Sequence, residues 1–148
     1  MDAERVTLES AAVHGYLTAL QSVIARMGAN SSNCKMWCVS LVSAIVVVVA
    51  DKGKPNYAWI AIIPIALFLL LDSYYLFLER QFRSVYNNFI RKLHFGTAIV
   101  DDVFFIAPRA RIRTASWNIV KAGASIAVWP FYALLAAMLV VVKTWILA

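Results

Sequence analysis

The sequence predicts an all-α integral membrane protein, with about three transmembrane helices, an N-terminal amphipathic helix and a cytoplasmic extension of the second span. Three observations predict it. The 148 residues are 62% hydrophobic and 15% charged, with a mean hydropathy of +0.73. Soluble domains carry about 45–50% apolar and about 25% charged residues. Long apolar runs recur near 36–50, 57–75 and 119–142. Net charge is +6, and the basic residues gather between those runs, as they do in cytoplasmic loops beside anionic lipid. This composition excludes a disordered chain and leaves little room for a conventional enzyme domain.

The chain divides into four segments: an N-terminal amphipathic helix over 1–30, a transmembrane hairpin over 31–78, a basic helix and connector over 79–118, and a C-terminal span over 119–148. In the first, Val13, Leu17, Leu20, Ile24 and Met27 fall at alternating four- and three-residue spacing, the stripe of a heptad seam. That seam suits packing on the rest of the fold, a contact between copies through Leu17, Leu20 and Ile24, or a membrane surface. No apolar signal-peptide core stands in the first 30 residues. Gly28 and Asn30 to Asn33 are residues that cap or kink helices.

Met36 to Ala50 is uncharged but spans only about 22 Å, so a full crossing must recruit residues 30–35, with Lys35 snorkelling to headgroups. The β-branched run Ile45 to Val49 reads as helix here, because a lone strand in lipid leaves its backbone unpaired. Residues 51–56 (Asp-Lys-Gly-Lys-Pro-Asn) form a tight turn. The second span runs from Tyr57 to Tyr75 with a kink expected at Pro64. Leu78, Phe82, Val85, Phe89 and Leu93 then keep helical spacing while Glu79, Arg80, Arg83, Arg91 and Lys92 mark a wet face. Glu79 and Arg83 stand in the favourable order for a helical ion pair.

Gly96, Asp101, Asp102 and Pro108 punctuate a connector, within which Val103 to Ile106 is apolar enough to dip into the interface. The third span, Ile119 to Val142, is expected to kink at Pro130. Gly123 with Ala127, and Ala133 with Ala137, are small-residue pairs that admit a neighbouring helix. The positive-inside rule places the N-terminus and residues 76–118 in the cytoplasm, and three spans then place the C-terminus outside.

Chemistry is sparse. His14 and His94 sit in no metal motif, Cys34 and Cys38 lie four apart with poor disulfide geometry, and no phosphate loop or nucleophile–base set is present. No enzyme activity and no cofactor are expected. Asp72 stands out as an ionisable group at the end of a span, where it either serves a pore or gate or pairs with Arg80, Lys35 or water. Glu79 and Arg83 extend that pore or gating set. Arg109, Arg111 and Arg113 suit anionic headgroups, an acidic cytosolic partner, or a nucleic acid or nucleotide. The lack of interleaved aromatic residues counts against nucleic acid.

Two stretches carry a resemblance. One is Leu20-Gln21-Ser22-Val23-Ile24-Ala25-Arg26-Met27-Gly28-Ala29-Asn30-Ser31, followed by Lys35, Trp37, Val39 and Leu41 to Ala44. The other is Leu71-Asp72-Ser73-Tyr74-Tyr75-Leu76 with Glu79-Arg80, Phe82-Arg83 and Val85-Tyr86-Asn87. Together with Trp129-Pro130-Phe131-Tyr132 they resemble a widespread family of small bacterial multi-span membrane proteins. Some members look like membrane accessory proteins of anti-phage defence systems. The resemblance implies a membrane-disrupting or membrane-sensing effector of the bacterial inner membrane that assembles into homo-oligomers, alongside a cytosolic defence partner. A non-conducting anchor or adaptor for such a partner is the other reading.

Overall fold

A computed structural model describes residues 10–103 and 112–146. Its order is α1 (Ala11–Lys52), a 3-10 segment (Pro55–Ala61), α2 (Ile62–His94), a short 3-10 turn (Val100–Asp102), α3 (Ile112–Gly123), α4 (Trp129–Val141) and a π-helical end (Val142–Ile146). No strand occurs among the described residues. Two helices, Ala11–Lys52 and Asn56–His94, are long and apolar enough to cross a membrane.

The first departure from expectation is α1, which is one helix of 42 residues rather than an amphipathic helix followed by a separate span. Gly, Ser and Asn between 28 and 33 each disfavour a helix interior by up to about 1 kcal/mol. Tertiary contacts override that preference. Met27 and Cys34 are buried on either side of the segment, Ser31 bonds to α2, and Gly28 faces the Glu79 side chain.

Gly53 ends α1 with φ +60°, its N–H bonded to Ala50 O at 3.2 Å, a left-handed stop that glycine adopts without strain. The chain then reverses within the expected turn. Pro64 was expected to kink the second span. It falls in the first turn of α2, just after the 3-10 segment, where a missing N–H costs nothing.

The α1–α2 hairpin is antiparallel along its whole length. Successive pairings are Tyr16 with Phe89, Gln21 with Tyr86, Gly28 with Glu79, Ser31 with Asp72, and Cys38 with the Pro64 carbonyl. Two cores result. One holds Val13, Tyr16, Leu20, Phe89, Leu93 and Ala98 at the polar end. The other holds Cys38, Val42, Val49, Ile65, Tyr132 and Leu139 at the turn end.

The stripe on the first segment is therefore packed within the chain. Leu20 is 0% exposed and cannot meet a second copy, and Leu17 packs on the same core. Ile24 is half-buried. Residues 1–9 of the predicted first helix lie outside the described residues.

The third span is not one helix. α3 and α4 have 12 and 13 residues, about 18 and 20 Å, each shorter than the hydrocarbon core of about 30 Å. The break has a local cause. Pro130 has no N–H, and in a continuous helix its ring would strike the carbonyl four residues back. The chain turns first, with the Val128 and Trp129 N–H groups both donating to Ser125 O at 2.9 and 3.1 Å. Pro130 then takes its place in the first turn of α4. α4 runs antiparallel to α2, from Tyr132 on the Phe68 carbonyl to Lys143 stacked 4.2 Å from the Trp59 ring centre. Its end thus lies at the hairpin turn, away from the polar end.

Candidate functional site: a buried charge pair between the long helices

Asp72 is 0% exposed, on the face of α2 that meets α1. Lys35 Nζ lies 2.6 Å from its Oδ2. That approach falls outside hydrogen-bond geometry, so the contact is chiefly Coulombic. The Ser31 hydroxyl donates to Oδ1, and the Lys35 ammonium donates to Ser31 Oγ at 3.3 Å. Tyr132 stands beside the carboxylate and donates to Phe68 O at 3.1 Å. Cys34 and Cys38, both free and buried, complete the surroundings on α1. Among the described residues no three His, Cys, Asp or Glu side chains gather as metal ligands.

The pair marks a level in the molecule. From Lys35 to Lys52, α1 advances about 26 Å through uncharged residues up to Ala50. From Lys35 back to Ala11 it advances about 36 Å, and the exposed residues of that stretch are polar or small. Lys35 was expected to snorkel outward. Its side chain is 25% exposed and its ammonium turns inward to the carboxylate.

About two turns and more beyond Asp72 lie the other charges singled out in the sequence. Glu79 pairs with Arg83 at 2.6 Å, the helical pair its spacing allows, and its side chain is 18% exposed where it faces Gly28. With the Arg83 side chain 62% exposed, water screens the pair and it adds little to stability. Arg80 does not pair with Asp72. Its guanidinium donates to Ser125 Oγ at 2.8 Å, across to the turn between α3 and α4. Lys92 pairs with Asp102 near the polar end.

Gly123 meets α2 rather than a second copy. A Cβ there would lie 2.7 Å from Ser73 Oγ, and that hydroxyl is committed to Leu69 O at 2.6 Å. Ala127 is exposed in the turn, so Gly123 and Ala127 do not form a helical small-residue face. Gly123→Ala is expected to destabilise the α2–α3 contact by about 1–3 kcal/mol, the usual effect of overfilling a packed site. Adding Ser73→Ala should relieve most of it. Unfolding curves of the single and double variants in detergent check this, and equal destabilisation of both would contradict the close approach.

Arg109 and Arg111 lie outside the described residues, as do Phe104 to Ile106, and Arg113 is described only by its backbone in the first turn of α3. Sequence reasoning missed the Arg80–Ser125 link and the role of Ser31. A serine four residues before Lys35 on one helix face was the available signal. No family model matches the chain, and neither a curated protein nor a solved structure does.

Proposed function

We propose that this chain is an integral protein of the bacterial inner membrane that works, as several assembled copies, as a membrane-perturbing effector or accessory. The anti-phage setting comes from the resemblance alone. Membrane residence is supported by the surface. Only 22% and 33% of the most apolar stretch of the two long helices is buried, and Met36, Trp37, Val47, Ile63, Leu67 and Leu70 are exposed on these helices. A soluble protein does not leave so continuous an apolar surface in water. With the charge pair at one boundary and the turn at the other, the N-terminal half of α1 and the C-terminal half of α2 project into the cytoplasm. α4 returns the C-terminus toward the periplasm.

The observation that carries the effector reading is the Lys35–Asp72 pair itself. Ionisable groups at membrane depth are costly and mark functional positions by default. In a single copy the carboxylate is sealed, so conduction requires either a lumen between copies or an opening of the pair. Expression with a membrane-potential dye tests this. The wild type is expected to lower the potential during phage challenge, and Asp72→Asn to change that response. Unchanged potential and growth for both would overturn the effector reading. Particle size in nanodiscs gives a second measure, with a large ring expected.

The second reading, a non-conducting adaptor, is favoured by the projecting part of the hairpin. It has its own aromatic core, with Tyr16 and Phe89 rings 4.8 Å apart and nearly perpendicular. Full-length protein in nanodiscs should then capture one specific cytosolic protein, and capture of nothing would count against it.

A further inference from the structure

A groove of about 580 Å³ runs between α2, α3 and α4, walled by Leu69 and Ser73 on α2, Val120 and Gly123 on α3, and Ala133 and Ala136 on α4. Its walls are almost wholly apolar, so within a bilayer it takes hydrocarbon. Ala124 also lines it, and the next residue, Ser125, holds the exposed Arg80 guanidinium. A guanidinium carries five N–H donors in a fork that fits phosphate. One of Arg80's is engaged by Ser125. Lys121, the exposed cation on α3, lines no part of the groove and lies over the Trp117 ring, 5.7 Å from its centre, which leaves Arg80 as the cation of this site. The nearest acid in sequence, Glu79, is already paired with Arg83.

Depth agrees with charge. Ile65 forms part of the groove, and from Arg80 to Ile65 α2 advances about 22 Å. That is half of a bilayer about 40–45 Å thick, headgroups included. We propose that the groove holds one anionic phospholipid, with its phosphate on Arg80 and one acyl chain along Leu69, Val120 and Ala133. The proposal rests on the membrane reading above.

The test uses full-length protein reconstituted in vesicles of equal phosphatidylglycerol and phosphatidylcholine, then extracted and weighed by native mass spectrometry. The wild type should keep one phosphatidylglycerol in preference to phosphatidylcholine by about fivefold, the worth of one cation at a lipid surface. Arg80→Gln should abolish the preference. Ser125→Ala should keep it, because it removes the link to the turn and leaves the cation. Ala133→Phe should lower retention of both lipids by filling the groove. Equal retention of the two lipids by the wild type, or a preference that survives Arg80→Gln, would overturn the proposal. So would an Ala133→Phe variant that changes oligomer size and leaves lipid retention untouched, since a second copy would then fill the groove. Protein that inserts but shows no lipid preference defeats this proposal alone, whereas protein that never joins the vesicles defeats the membrane reading as well.

Discussion

Lys35→Ala is expected to destabilise the hairpin by about 3–5 kcal/mol, the usual result of leaving a buried charge without its partner. Asp72 has no exposed surface through which water could take over, and what remains beside it, the Ser31 hydroxyl and the neighbouring Tyr132 phenol, is neutral. Removing both charges should behave differently. A Lys35→Met, Asp72→Leu double variant fills the same space with apolar atoms, and such replacements are often neutral or stabilising. The Ser31 hydroxyl can then turn to a carbonyl of its own helix. Unfolding in detergent, followed by circular dichroism, separates the cases. If Lys35→Ala and the double variant lose stability equally, the pair is not the source of the loss. If the double variant is stable yet silent in the membrane-potential assay, the charges serve function rather than folding.

Leu20→Ala should cost about 2–5 kcal/mol, the range for a leucine truncated in a packed core. Leu20 is 0% exposed among Val13, Tyr16, Phe89 and Leu93, in a small core whose helices hold each other at fixed spacing, so a gap there closes only in part. The effect should be local to the projecting half of the hairpin. Limited proteolysis should cut within 11–30 and 79–94 of the variant while sparing 36–75. Uniform cleavage, or none, would mean that the two cores do not unfold separately.

How much of this was legible in sequence depends on the range of the forces involved. The turn at 51–56 and the amphipathic run from Leu78 to Leu93 were readable because their signals are local: Gly53 and Pro55 in one case, a helical stripe in the other. The continuity of α1 was not readable. Its weak stretch at 28–33 is held by Asp72, 41 residues away from Ser31, and no local rule reports that contact. Lys35 was one of three partners open to Asp72, and choosing it over Arg80 needed the register of the hairpin. The seam at Leu17, Leu20 and Ile24 was readable as a stripe that could pack on the fold, on a second copy or on a membrane, but periodicity does not say which covers it; Leu20 and Leu17 pack within the chain. The third span misled for another reason. Hydropathy counts side chains and is blind to the backbone, so 119–142 read as one span although Pro130 forces the turn at Ser125.

The unbroken 42-residue α1 has a mechanical consequence. If the bilayer grips residues 36–50, as proposed, α1 with α2 packed beside it behaves as a lever whose outer arm is about 36 Å long. Helices answer a change in hydrocarbon thickness by tilting. A tilt of about 10° at the gripped end would swing the tip near Ala11 sideways by roughly 6 Å, from the rise per residue alone. Thinning or stretching of the lipid would thus be felt as displacement far out in the water, with no hinge along the way to absorb it.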